Sequence, residues 1–413
     1  MEPSRRTTSS PDAAPLWVRL GIESLDPIAA RLGPRCTAIP VSPLRGLAVM
    51  IRRLGPARAL TRAGAALLGA DDEARRMVAV NVARRRIRLP WIYGWRPVLT
   101  LYAAIKRLQA RLVTELAAAR LEALPGRVVL NFNGSKYPES CMAVAARRLG
   151  RPMLLVENGH FPGTFQADPV GINAASAFPR DPAVLRPLAP LWPEERLPRR
   201  IGERADKLGQ TGRAPLSLPE GFVFVPFQVP SDSQVLLHSP WIPDMRAFHA
   251  EVVAAAEARP DLVFVIKEHP SFKLRLAGKV PPHPRVIFAN AARTPELIER
   301  ARAVVTLNST VGIEALVLER PVIVLGEAIF AIDGLVLRAP DRAAFHEALG
   351  RIDSFRPDPE LRRAFLGLLH DHWLVPGSWR DPDARSIAEL DRRAAALEAG
   401  ADPLALPAPP ARP

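Results

Sequence analysis

Four polar clusters in this sequence each follow directly on a short apolar run, and each holds groups able to do chemistry. Phe222-Val223-Phe224-Val225-Pro226 runs into Phe227-Gln228-Val229-Pro230-Ser231-Asp232, where Asp232 is available as a nucleophile or base. An Asx-turn or a helix cap would use the same aspartate. Leu262 to Ile266 runs into Lys267-Glu268-His269-Pro270, a cation and an imidazole suited to an anionic phosphate, or else a solvated loop. Ala303 to Leu307 runs into Asn308-Ser309-Thr310-Val311-Gly312, where Ser309 or Thr310 stands at a helix start and could cap it or bind phosphate oxygens. Met153 to Val156 runs into Glu157-Asn158-Gly159-His160, with Gly171-Ile172-Asn173 beyond it. Glu157 is a candidate general acid or base, or a structural hydrogen-bonding group.

The elements that must position these groups alternate. Val128 to Phe132 reads as a strand, Glu139 to Leu149 as a helix and Met153 to Val156 as a strand, a βαβ unit. A second set restarts at Phe222 to Pro226. It continues through helix Met245 to Ala258, strands Leu262 to Ile266 and Val286 to Phe288, helix Pro295 to Ala301, strand Ala303 to Leu307, helix Val311 to Leu318 and strand Val322 to Leu325. Short βαβ spacing implies parallel sheets, and such sheets bind ligands beyond the carboxyl ends of their strands, where all four clusters fall. Residues 43–124 read as helical, interrupted near Pro90 and Pro97. The Pro- and Arg-rich stretch Pro179 to Pro215 reads as a linker. The expected organisation is a disordered tail over 1–15, an α/β domain with a helical leader over 16–210, a second α/β domain over 215–345, C-terminal helices over 346–400 and a loose tail over 401–413.

At 413 residues, 48% hydrophobic and 24% charged, the chain is expected to be globular with two cores, and no apolar run is long enough for a membrane-spanning helix. The two cysteines, Cys36 and Cys141, have no partner at metal-ligand spacing, which suits a reducing compartment without structural zinc. The net charge of +14 attracts polyanions. The segment Arg84 to Arg96 interleaves arginines with Trp91, Tyr93 and Trp95, which suits an anionic membrane surface or a basic helix end followed by core aromatics. No nucleic-acid-binding motif accompanies it, so nucleic acid is not an expected partner.

The order of the clusters resembles a known family. "FVPFQVPSDSQVLLHSPW" with Gln228 and Asp232, "KEHP" at 267–270, "NSTVGIEAL" at 308–316, "LGEAIFAIDGL" at 325–335 and "VENGHFPGTFQADPVGINAASAFPRD" at 156–181 are similar to segments of the KpsC/KpsS-type capsule polysaccharide family, which contains β-Kdo transferases. The resemblance spans roughly residues 127–340. It implies a GT-B-like α/β fold, two Rossmann-like domains facing a cleft with extra N-terminal helices. It also implies a metal-independent glycosyltransferase of capsule synthesis, peripheral at the cytoplasmic face of the inner membrane. The implied donor is CMP-Kdo and the implied acceptor a phospholipid or lipid-linked glycan, with a capsule assembly complex as protein partner and no cofactor. Asp232 would capture the sugar covalently and Glu157 would act as acid/base. Gln228, Lys267, His269, Asn308, Ser309 and Thr310 would bind the donor, and Gly159 and Asn173 would contact sugar or acceptor. Phe330 stands where the family pattern leads us to expect a tyrosine. Transfer of another nucleotide-activated sugar, or a non-catalytic role in export assembly, are the alternatives.

Overall fold

The computed structural model describes residues 14–68, 71–199, 217–272 and 275–409. The expected tail over 1–15 therefore lies almost wholly outside the described residues, as do 200–215 of the expected linker and the last four residues. Five strands build the first sheet: β1 (Leu16–Leu20), β2 (Cys36–Ile39), β3 (Arg127–Phe132), β4 (Met153–Asn158) and β5 (Thr164–Asp168). Six build the second: β6 (Val223–Pro226), β7 (Phe264–Lys267), β8 (Val286–Phe288), β9 (Ala303–Thr306), β10 (Val322–Val324) and β11 (Leu337–Arg338). The chain then returns, and β12 (Val375–Pro376) adds to the first sheet beside β5. The sheet orders are β12-β5-β4-β3-β1-β2 and β11-β10-β9-β6-β7-β8. All pairings are parallel except β4 with β5 and β5 with β12.

The apolar runs Val-Val-Leu of β3, Met-Leu-Leu-Val of β4, and all of β6 and β9 are buried along their length, as strands covered by helices on both faces must be. In the second sheet, β6 has β7 on one side and β9 on the other. The strand order reverses there, which opens a crevice at the carboxyl ends of β6, β7 and β9. In the first sheet β1 is the corresponding point, between β2 and β3. The molecule is a two-domain α/β structure of GT-B-like architecture. Among the described residues no helix is long and apolar enough to cross a membrane.

Among the described residues, five helices separate β2 from β3, four of them 12 residues or longer. The helix Asp71–Arg88 and the helix Arg96–Glu122 pack around Ala74, Met77, Val78, Ala110 and Val113 against Cys141 of the helix Glu139–Arg148, and the helix Pro43–Leu54 closes over Leu116 and Ala119. The interruptions expected at Pro90 and Pro97 are found. Pro90 opens the short helix Pro90–Tyr93 and Pro97 sits in the first turn of the next, where its missing N–H breaks no hydrogen bond.

Two further readings need correction. The described part of the linker, up to 199, is packed: Leu185, Leu188, Ala189 and Trp192 are buried in a core with Leu361 and Phe365. The segment over 401–409 is anchored by buried Leu404 and by Ala405, whose carbonyl pairs with His372 Nε2 at 2.9 Å. The helix Ala384–Glu398 covers the first sheet, with Leu390 and Ala394 buried among Trp17, Leu130 and Phe165.

Candidate active site

The wall supplied by the second sheet forms because β6 and β9 are neighbours. Gln228, just past β6, donates from Nε2 to Asn308 Oδ1 at 2.8 Å and accepts from Asn308 N at 3.2 Å. Asn308 Nδ2 donates on to the carbonyls of Gln234 and His238, both at 3.0 Å. This pair ties two strand exits together, so both residues shape the wall whatever else they bind. Asp232 caps the short helix Ser233–Leu237, its Oδ1 accepting from Gln234 N at 3.0 Å. It is nevertheless exposed to the cleft. The cap reading and the chemical reading therefore hold together, because capping uses one carboxylate oxygen.

Past β9, Ser309 Oγ accepts from Val311 N at 3.3 Å at the start of the helix Val311–Val317, and Thr310 lies beside it. Gly312 allows a close approach there, since a Cβ would lie 2.4 Å from the Phe330 ring. Phe330 itself is 1% exposed, so the position where a tyrosine was expected is a core position below the cleft floor. Past β7, His269 Nδ1 accepts from Ser271 N at 3.2 Å, which puts the proton of the neutral ring on Nε2. Lys267 does not join this wall. As the last residue of β7 it is buried, and its ammonium donates to the carbonyls of Asn290 at 3.0 Å and Ala292 at 2.6 Å. Its expected contact with the donor is thus replaced by a role in fixing the loop after β8.

The wall supplied by the first sheet carries Glu157. Its Oε2 accepts from Asn133 Nδ2 at 2.7 Å, and its Oε1 from Asn158 N and Nδ2 at 3.0 and 2.9 Å. Asn133 and Asn173 both have left-handed φ, 61° and 52°, a region asparagine tolerates better than most residues. Gln166 on β5 holds the Asn173 loop, accepting from Asn173 N at 2.7 Å and donating to Asn173 Oδ1 at 3.0 Å. Gly159 has no room for a side chain, since a Cβ would lie 2.1 Å from Thr164 Oγ1 and 2.5 Å from the Thr164 carbonyl.

Beneath this loop His160 is buried against Asn173, and burial drives its pKa from 6.5 down to about 4, the Asn173 hydrogen bond opposing that shift. A folded pKa below the unfolded one means that acid favours the unfolded chain, with stability lost as pH falls from 6.5 toward 4. Denaturant midpoints are expected to show a loss of about 2 kcal/mol between pH 7 and 4.5 from this group, absent in His160→Gln. An acid limb that is the same in both proteins would show that other groups cause it.

Both walls face one cleft of about 880 Å³. It is lined by Glu157, Gly159 and Asn173 on one side and by Gln228, Asp232, His269, Asn308, Ser309 and Thr310 on the other. The structure thus brings together every expected site residue except Lys267. It adds Arg84, Arg88, Asn133 and Lys136 from the first domain and Gln234 from the second, none of them expected from the sequence as a site residue. Arg84 and Arg88 were expected at an anionic membrane surface or as part of a basic helix end, and only packing reveals that they reach the cleft. Gln234 spans the two walls, its Oε1 accepting from Ala174 N at 3.4 Å. Among the described residues, no group of three or more His, Cys, Asp or Glu is arranged to hold a metal ion.

Residues 205–379, which carry the second-domain wall, match the family of capsule polysaccharide biosynthesis proteins. Protein FixF of Sinorhizobium fredii is 46% identical over 330 residues, 79% of this chain and 80% of that protein. The capsule polysaccharide export protein KpsS of Escherichia coli is 32% identical over 163 residues, 37% of this chain and 40% of that protein. Among solved structures, the β-Kdo 2,4 transferase of Thermosulfurimonas dismutans KpsC shares 20% identity over 58% of this chain and 78% of its own, with a TM-score of 0.41. By its likeness to FixF along four-fifths of that protein, the chain belongs to the capsule polysaccharide biosynthesis and export family of FixF and KpsS.

Proposed function

We propose that this protein is a retaining glycosyltransferase of surface-polysaccharide synthesis that moves Kdo from CMP-Kdo to a lipid-linked acceptor. The observation that carries this reading is that two carboxylates, Asp232 and Glu157, come from opposite sheets to one cleft that also holds an imidazole and two hydroxyls suited to a phosphate. The names of the KpsC structure and of the capsule proteins support the sugar and the pathway class. In the first step a carboxylate oxygen of Asp232 attacks the anomeric carbon. The bond from that carbon to the phosphate oxygen breaks, and CMP leaves with the electron pair. His269, Ser309 and Thr310 stabilise the departing phosphate. In the second step an acceptor hydroxyl attacks the same carbon, its proton passes to Glu157 and the Asp232 carboxylate is released. Two inversions give net retention. Incubation with CMP-Kdo and a phosphatidylglycerol acceptor tests the reading. Acceptor-dependent CMP release is the expected result, and the Kdo assignment falls if CMP-Kdo neither binds nor turns over.

The acceptor side of the proposal draws on an apolar surface beside the cleft. Trp91 and Trp95 are each 68% exposed, and Leu101, Ile105 and Leu108 are exposed along one face of the helix Arg96–Glu122. Exposed Arg86 and Arg96 flank them. Aromatic rings among arginines suit the headgroup layer of an anionic bilayer. Vesicles containing phosphatidylglycerol are expected to bind the protein, and Trp91→Ser with Trp95→Ser to weaken that binding about tenfold. Equal binding by wild type and variant would remove this surface from the proposal, and preferential binding of duplex DNA would point to nucleic acid instead.

A further inference from the structure

Three cations on the first-domain wall take no part in the chemistry above. Arg84 and Arg88 lie one turn apart at the end of the helix Asp71–Arg88, and Lys136 follows β3. All three line the cleft with Asp232. Arg88 Nε donates to Ser231 Oγ at 3.0 Å, so this helix end is docked on the loop that carries the nucleophile. Arg84 is half-buried. Burial and the like charge of Arg88 lower its pKa, while Asp232 and Glu139 oppose that shift. Among the described residues, no hydrogen bond or ion pair occupies the Arg84 guanidinium or the Lys136 ammonium.

Arg84 and Arg88 repel one another, the carboxylate of Glu139 attracts both Arg84 and Lys136, and an anion held in the cleft between the three cations relieves the repulsion that Glu139 leaves. In the proposed reaction the donor phosphate is met by His269, Ser309 and Thr310, which line the cleft on the opposite wall. We infer that Arg84, Arg88 and Lys136 form a second anion subsite beside Asp232, for a carboxylate or phosphate that a substrate carries in addition to the donor's own phosphate. The planar fork of Arg84 suits either oxyanion in a bidentate contact. All three residues come from the first domain and precede the stretch 205–379 that matches the family. The identity of the anion rests on the transferase reading. Two sources fit, the carboxylate of the donor sugar acid and the phosphate of a lipid acceptor.

Calorimetric titration of the full chain with CMP, CMP-Kdo, lysophosphatidylglycerol and inorganic phosphate separates these cases. Arg84→Gln with Lys136→Gln is expected to leave CMP affinity within about twofold and to weaken one other probe about tenfold or more, while Arg84→Lys retains most of the binding. A loss confined to CMP-Kdo identifies the donor carboxylate, and a loss with lysophosphatidylglycerol identifies the acceptor phosphate. Unchanged binding of every probe, or an equal loss for CMP, overturns the subsite. Should wild type bind neither CMP nor CMP-Kdo, the transferase reading fails. The subsite is then decided on the other two probes: a loss on substitution upholds it, and unchanged or absent binding sinks it.

Discussion

Asp232→Asn is expected to cut acceptor-dependent CMP release by about 10³-fold or more, with little change in stability. The two halves of this expectation come from the same geometry. Asp232 Oδ1 accepts from Gln234 N at the start of a short helix, and an asparagine carbonyl oxygen makes that cap equally well. The variant therefore keeps the loop that lines the cleft. It loses the negative charge and nucleophilic oxygen that the proposed glycosyl-enzyme bond requires. His269→Ala is expected to cost about 10²-fold, mostly in the step that releases CMP, because in the proposed mechanism the imidazole stabilises a leaving group and forms no bond to carbon. The measurement is kcat for CMP release beside a denaturation curve for each variant. If Asp232→Asn retains activity within tenfold of wild type, Asp232 is a helix cap and the double displacement is wrong.

Much of this cleft was legible before the fold was known, for a physical reason. Strands such as β6 and β9 are buried on both faces and read as apolar runs, and a parallel sheet delivers the next few residues to a ligand-binding edge. That logic finds Asp232, His269 and Ser309 without any tertiary information. It failed for Lys267 because the end of a run does not say which face a side chain takes. Lys267, Glu268 and His269 are consecutive, yet the first two are buried in loop-holding hydrogen bonds and only the third lines the cleft. It missed β1, whose run is broken by Arg19. There the guanidinium turns to the strand end, donating to the carbonyls of Leu20 and Ile22. It also had no access to Arg84 and Arg88, whose position is set by how two long helices stack on the helix Glu139–Arg148. Such packing depends on contacts far apart in the chain, to which local periodicity is blind.

The return of the chain to the first sheet carries the largest expected effect on stability. Arg393, on the helix Ala384–Glu398, is fully buried. Its Nη1 donates to the Ala167 carbonyl on β5 at 2.7 Å, its Nε to Glu389 at 2.7 Å and its Nη2 to the His372 carbonyl at 3.3 Å. One side chain thus joins the returning helix, the segment before β12 and the strand that ends at Asp168. Arg393→Ala removes three donors, takes their side-chain partner from the Ala167 and His372 carbonyls and from Glu389, and opens a cavity, which together are expected to cost about 3 kcal/mol or more. Arg393→Met fills the space but restores no donor, so it is expected to recover only the packing share, about 1 kcal/mol. Denaturant curves read both, as a lowered midpoint with unchanged slope. Trp379 and Arg380 of the same returning segment donate to Asn158, whose amide in turn donates to Glu157. Loosening the return should therefore also make activity fail at a lower temperature than in wild type. A midpoint shift worth less than about 1 kcal/mol in Arg393→Ala would mean that the helix lies on the first sheet without holding it, and the thermal loss of activity should then vanish with it.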